Sequence, residues 1–152
     1  NGQIEGDEIV YHDFVDISVA VSAPNGLVVP VVRNAEALDL WDSAREVARV
    51  STAARNGTAM REDLSGSTIT ITSLGPLGGI TTTPVINHPE VAIIGPNKIA
   101  ERPVVQGGLV SVRKIMNLSS SFDHRIVDGY DAASFIQRLK RLIEHPALIF
   151  MD

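Results

Sequence analysis

The sequence predicts an α+β domain, with a mixed, mostly antiparallel sheet and helices on one face. Three observations point there. Short β-branched runs alternate with period two, two longer stretches carry apolar residues at helical spacing, and Gly, Pro and Asn punctuate the joints between them. In order they read β-β-α-β-β-β-α, within a single domain spanning residues 1–152.

Residues 14–32, FVDISVAVSAPNGLVVPVV, read as two strands around Pro24-Asn25-Gly26, because Asn-Gly supplies the backbone that a tight hairpin needs. Pro30 has no N–H to give, so the second strand is expected to lie at an edge or to end early. Residues 35–55 read as a helix, with Asn34 as its N-cap and Asn56-Gly57 as its stop. Ala37, Leu40, Trp41, Ala44, Val47 and Ala48 should face the sheet, with Asp39, Asp42, Glu46 and Arg49 on the wet side. STITITS, residues 67–73, is a strand, and LGPLGG after it breaks regular structure. Its glycines lack the spacing of a dinucleotide fingerprint. VAIIGPNKI, 91–99, reads as a buried strand broken at Gly95-Pro96. Gln106-Gly107-Gly108 reads as a turn, and 109–121 as a long alternating strand. Residues 130–144 form an amphipathic helix with Ala132, Phe135, Ile136, Leu139, Leu142 and Ile143 on its apolar stripe, stopped by Pro146.

Composition removes several classes of function. The chain is 44% hydrophobic, enough for a packed core, and has no cysteine, so there is no disulfide framework, thiol nucleophile or Cys-ligated zinc. A net charge of −5 without a Lys/Arg cluster speaks against a nucleic-acid partner. No apolar run reaches the ~20 residues of a membrane span. A chain that begins at Asn1 is expected to be a piece of a longer one.

The chemistry concentrates in SFDHRIVDGYD, residues 121–131, where a strand stops and a helix begins. His12, His88 and His145 have plain explanations in a polar stretch, a turn before Pro89 and a helix end. His124 sits among Asp123, Arg125 and Asp128. It could be a base, a ligand or a turn residue. Asp123, His124 and Asp128 could together hold a metal, but Arg125 adds unwanted positive charge. Ser119, Ser120 and Ser121 suggest a Ser-His-Asp hydrolase. They lie on a strand, however, and the sharp G-x-S-x-G elbow is absent.

DHRIVDG resembles the His-x-x-x-Asp-Gly signature of the dihydrolipoamide acyltransferases of 2-oxo acid dehydrogenase complexes. ISVAVSAPNGLVVPVVRNAE, STITITSLGPLGG, TPVINHPEVAIIGPNKI and IMNLSSSFDHRIVDG are similar to that family's blocks, in its order and with its spacing. The resemblance covers essentially the whole chain. It implies a chloramphenicol-acetyltransferase-like fold, of which this would be the C-terminal two-thirds of a catalytic domain. The lipoyl and subunit-binding domains would lie elsewhere. By the same resemblance the chain acts as the core of a dehydrogenase complex, with the branched-chain type favoured. A pyruvate-type acetyltransferase or a non-catalytic structural core is the alternative.

The activity so implied is acyl transfer between dihydrolipoamide and coenzyme A, without a metal. A thiol of pKa ~8.5 is mostly protonated at neutral pH, and a histidine near ~6.5 suits its activation. The resemblance assigns His124 as general base and Thr72 as the hydroxyl donor to the oxyanion. Thr72 stands where the family has serine, with Ser73 as a lesser candidate. Asp128 would brace the active-site loop, and Gly129 would leave that loop room to close. The partners implied are a homotrimer that assembles into a larger core, with His124 facing the next chain's Thr72. They include the other complex subunits and a lipoyl domain, but neither nucleic acid nor membrane. The apolar tail HPALIFMD is an intersubunit candidate. The compartment would be the bacterial cytoplasm, or the mitochondrial matrix in a eukaryote.

Overall fold

The structure is a computed structural model and describes residues 1–151. The chain runs through β1 (Gly2–Glu5), β2 (Glu8–Tyr11), β3 (Ile17–Val19), β4 (Val21–Ala23), β5 (Gly26–Val28) and β6 (Val31–Val32). Then come α1 (Leu40–Asn56), β7 (Ile69–Ile71), β8 (Ala92–Pro96), β9 (Ala100–Gln106), β10 (Leu109–Ile115), β11 (Leu118–Phe122) and α2 (Gly129–Glu144). Short 3₁₀ turns occupy Ala35–Ala37, Arg61–Leu64, Gly75–Leu77 and Pro146–Phe150.

The α+β class holds. A five-stranded sheet has the order β11-β8-β7-β3-β6. Its outer pairs, β11/β8 and β3/β6, are antiparallel, and its inner pairs, β8/β7 and β7/β3, are parallel. Parallel neighbours cannot be joined by a tight turn, so a long connection containing α1 carries the chain from β3 to β7. Hairpins β1–β2, β4–β5 and β9–β10 are antiparallel additions outside this sheet. β8 lies inside the sheet, and Val91, Ala92, Ile93 and Ile94 are all buried, which explains its unbroken apolar run. Val31, Val32, Val50 and Ala54 extend the core to α1.

Several local expectations change. Asp39, not Asn34, caps α1, accepting from the Asp42 N–H at 2.7 Å. Asn34 instead precedes the 3₁₀ turn Ala35–Ala37 with a left-handed φ of 47° and no side-chain cap bond, while its N–H donates to Asp16 Oδ1 at 2.8 Å. The buried side of α1 is Val50, Ser51 and Ala54, while Leu40, Trp41, Ala44 and Ala48 are exposed. Through this side α1 packs against β4 and β6, and the larger apolar stripe faces outward. Ala23 pairs with Gly26, so Pro24-Asn25 are the central turn residues. Gly57, by contrast, ends α1 with a φ of 68°, as expected.

Gly95 does not break β8. A Cβ there would sit 3.0 Å from Thr82 Oγ1 and 3.4 Å from the Ser119 carbonyl oxygen, so glycine allows three segments to converge. The expected long strand 109–121 divides at Met116-Asn117 into β10 and β11. Gly107-Gly108, both with positive φ, make the two-residue turn from β9 to β10. The strand before Pro30 does end early, since β5 stops at Val28, and the edge strand β6 begins just after Pro30.

Candidate active site

β11 delivers the histidine. Its last rung is the Asp123 N–H donated to the Val91 carbonyl at 2.8 Å, after which the chain turns and His124 stands exposed. Ile126 and Val127 N–H groups return to the Asp123 carbonyl at 3.0 and 2.9 Å, closing that turn. Asp128 then caps α2: its Oδ1 accepts from the Asp131 N–H at 2.8 Å. Such a cap stabilises a helix by about 1 kcal/mol. A strand end and a capped helix therefore hold the imidazole-bearing turn from both sides.

Thr72 follows β7 directly. Its N–H donates to the Ile94 carbonyl at 2.9 Å, and the residue is half-buried. Ser73 Oγ accepts from the Gly75 N–H at 3.1 Å and so belongs to the turn that follows.

The two hydroxyl and imidazole candidates do not meet within one chain. Ile71 pairs with Ile94, which puts Thr72 at the level of Gly95. Phe122 pairs with Ala92, which puts His124 beyond the other end of β8. At ~3.3 Å per residue and ~4.8 Å per strand, the separation is about 16 Å along the strands and about 10 Å across them. A thioester carbonyl cannot touch both at that span.

The other residues near His124 are engaged. Arg125 grips the Asp123 carboxylate through Nε at 3.0 and 3.1 Å and through Nη2 at 2.5 Å, and its backbone N–H adds a fourth contact at 3.0 Å. The Arg125 side chain first, then its N–H, pulls the Asp123 carboxyl down to about 2, and the charge of His88 adds in the same direction. With Asp123 bound to Arg125 and Asp128 capping α2, neither is free to join His124 around a metal. Among the described residues there is no cluster of three metal-ligating side chains. Ser119 Oγ accepts from Thr82 N and Asn97 Nδ2, and Ser121 Oγ donates to the Pro84 carbonyl. These hydroxyls stitch the loop after Ile80 to β11 and are not arranged as nucleophiles.

A prediction follows from the sign of the Asp123 shift. A carboxyl held below its unfolded pKa contributes stability above that value and loses it as pH falls through about 2. Acidification from neutral to about pH 4 should therefore leave the clamp closed. A carbon-detected NMR titration of Asp123 should show a midpoint near 2. A midpoint in the ordinary carboxylate range would mean that the clamp does not form.

Sequence reasoning missed two polar groupings, one around the buried carboxylate of Asp16 and one around that of Glu90. Arg33 donates to Asp16 Oδ2 and to the carbonyls of Glu62, Ser65 and Gly66, tying β3, β6 and the entry to β7 together. Glu90 is buried and accepts from Ser67, Thr70 and Asn87. A lone carboxylate beside the apolar run VAII was the available signal for the second. A cleft of about 890 Å³ lies between α2 and the segment from Lys114 to Ser119, and it includes neither His124 nor Thr72.

Residues 1–151 match the family described as 2-oxoacid dehydrogenases acyltransferase (catalytic domain). The chain is 60% identical over 148 residues to the lipoamide acyltransferase component of the branched-chain alpha-keto acid dehydrogenase complex of Pseudomonas aeruginosa, covering 97% of this chain and 35% of that protein. Its fold superposes on the Azotobacter vinelandii dihydrolipoamide acetyltransferase with a TM-score of 0.94 at 38% identity, covering 99% of this chain and 63% of the other. The cubic core of the pyruvate dehydrogenase multienzyme complex gives the same TM-score at 37% identity, with the same coverage. The chain thus spans about a third of the length of its curated relatives. Fold, ordered sequence blocks and the strand-end histidine agree, and the chain belongs to the acyltransferase catalytic-domain family of the 2-oxoacid dehydrogenases.

Proposed function

We propose that residues 1–152 are the C-terminal two-thirds of a catalytic domain with the chloramphenicol-acetyltransferase-like fold, its helices on one face of the sheet. The protein transfers an acyl group between dihydrolipoamide and coenzyme A as the core of a 2-oxo acid dehydrogenase complex of the branched-chain type. The observation that carries this is 60% identity to a branched-chain lipoamide acyltransferase across 97% of the chain.

His124 takes the proton from the coenzyme A thiol as sulfur attacks the thioester carbonyl, and returns it to the departing dihydrolipoamide sulfur. The Thr72 hydroxyl of a neighbouring copy donates to the oxyanion that forms between these steps. The in-chain distance between the two residues supports a shared site, as does likeness to a multienzyme core. The Azotobacter structure was solved to probe a serine, a histidine and an asparagine in catalysis, and their spacing is that of Thr72, His124 and Asp128. Asparagine at the third place supports a bracing role for Asp128 rather than proton transfer, because an amide does not titrate.

The assembly follows as a homotrimer built into a larger core, served by a lipoyl domain and the other complex subunits. The compartment is the bacterial cytoplasm, or the mitochondrial matrix in a eukaryote. A pyruvate-type acetyltransferase is the second reading, favoured by the acetyltransferase likeness at TM-score 0.94.

The test is a steady-state assay of the full-length protein with coenzyme A and matched acyl-dihydrolipoamides. Branched acyl donors should give the highest kcat/KM. A preference for acetyl would select the second reading, and no transfer from any donor would leave only a scaffold.

A further inference from the structure

The sequence places a glutamate, Glu90, immediately before the most buried strand of the sheet, and the structure buries it to 3% exposure. Oε1 accepts from Ser67 Oγ at 2.5 Å and Asn87 Nδ2 at 3.0 Å, and Oε2 accepts from Thr70 Oγ1 at 2.5 Å. Thr70 Oγ1 in turn lies 2.6 Å from Ser18 Oγ. The ion pairs among the described residues do not include Glu90. Burying a carboxylate without a cation is costly, so three donors are the minimum compensation. All three neighbours donate to the Glu90 carboxyl oxygens. Thr70, once donating to Glu90, must accept from Ser18. One orientation is thereby imposed from β3 through β7 to the turn before β8.

That turn lies next to the candidate base. The β8–β11 register ends with Ala92 opposite Phe122, and the main chain of Glu90, two residues before Ala92, bridges to Gln3 of β1. The last rung before His124 is held by the carbonyl of Val91, the residue after Glu90. The Glu90 N–H also closes on the Asn87 carbonyl at 3.0 Å, so side chain and main chain fix the same turn.

We propose that Glu90 is a positioning residue for acyl transfer, its buried carboxylate setting where the end of β11 presents His124. This rests on His124 being the base. Glu90 does not touch substrate. It holds the strand that aims the imidazole, and a misplacement of about 1 Å costs catalysis roughly a hundredfold.

The test uses the full-length assembled protein, with kcat and KM measured separately for Glu90→Ala, Glu90→Gln, His124→Ala and Val50→Ala. Glu90→Ala should lower kcat about ten- to a hundredfold and leave KM for coenzyme A within about twofold. Glu90→Gln, which keeps one acceptor oxygen, should recover most of that loss yet stay about three- to tenfold below wild type. Val50→Ala opens a cavity far from His124 and should lower the melting temperature with kcat unchanged. If Glu90→Ala does not fold, Glu90→Gln alone decides. Full kcat in every Glu90 variant that folds, or a raised KM with kcat intact, would overturn the inference. An inactive His124→Ala beside fully active Glu90 variants would remove the role of Glu90 alone. A fully active His124→Ala would remove the base itself.

Discussion

His124→Ala should lower kcat for acyl transfer to coenzyme A about a thousandfold, the central value for loss of a positioned general base. The structure shows why the loss should fall on kcat. The imidazole is exposed at a strand end and lies outside the core, so its removal opens no cavity. The turn that carries it is closed by main-chain bonds to Asp123 and by the cap at Asp128, none of which uses the ring. Binding of either thiol substrate should persist, and KM should move little. The check is steady-state kinetics on the full-length variant beside a melting curve. Residual kcat within tenfold of wild type, with the fold intact, would contradict the role of the ring.

Thr72→Val should cost about a hundred- to a thousandfold in kcat, the range for deleting one oxyanion donor. Valine keeps the branched shape and the β-propensity that suit a residue following β7, so what is lost is the hydroxyl. The main-chain bond from Thr72 to Ile94 is unaffected by the side chain. Thr72→Ser should keep near-normal turnover, because the donor remains and only a methyl is removed. Equal turnover in all three proteins would shift attention to Ser73, whose oxygen is already engaged by the Gly75 N–H.

Much of the site was readable because its signals are local. A strand ending in a histidine, followed by Asp-Gly and an apolar stripe, has short-range causes, and β11, the turn and α2 appear where the pattern puts them. The turn at Gly107-Gly108 was readable for the same reason. What escaped notice depends on partners far along the chain. Pairing direction in the sheet cannot be read from one strand, so the parallel centre was not foreseen. Asn34 looks like a cap, but it precedes only the 3₁₀ turn Ala35–Ala37, in a left-handed conformation without a side-chain cap bond. The face of α1 that is buried is set by β4 and β6, and periodicity alone does not say which of its stripes those strands will cover. Glu90 shows in the sequence only as a lone carboxylate beside VAII, because its donors at Ser67 and Thr70 lie on the far side of a loop.

The placement of Thr72 near one end of β8 and His124 beyond the other carries a genetic corollary. If neither half of the machinery can serve its own chain, then two damaged alleles, one without the ring and one without the hydroxyl, can restore each other when co-expressed. A chain diluted until it stands alone would lose its chemistry.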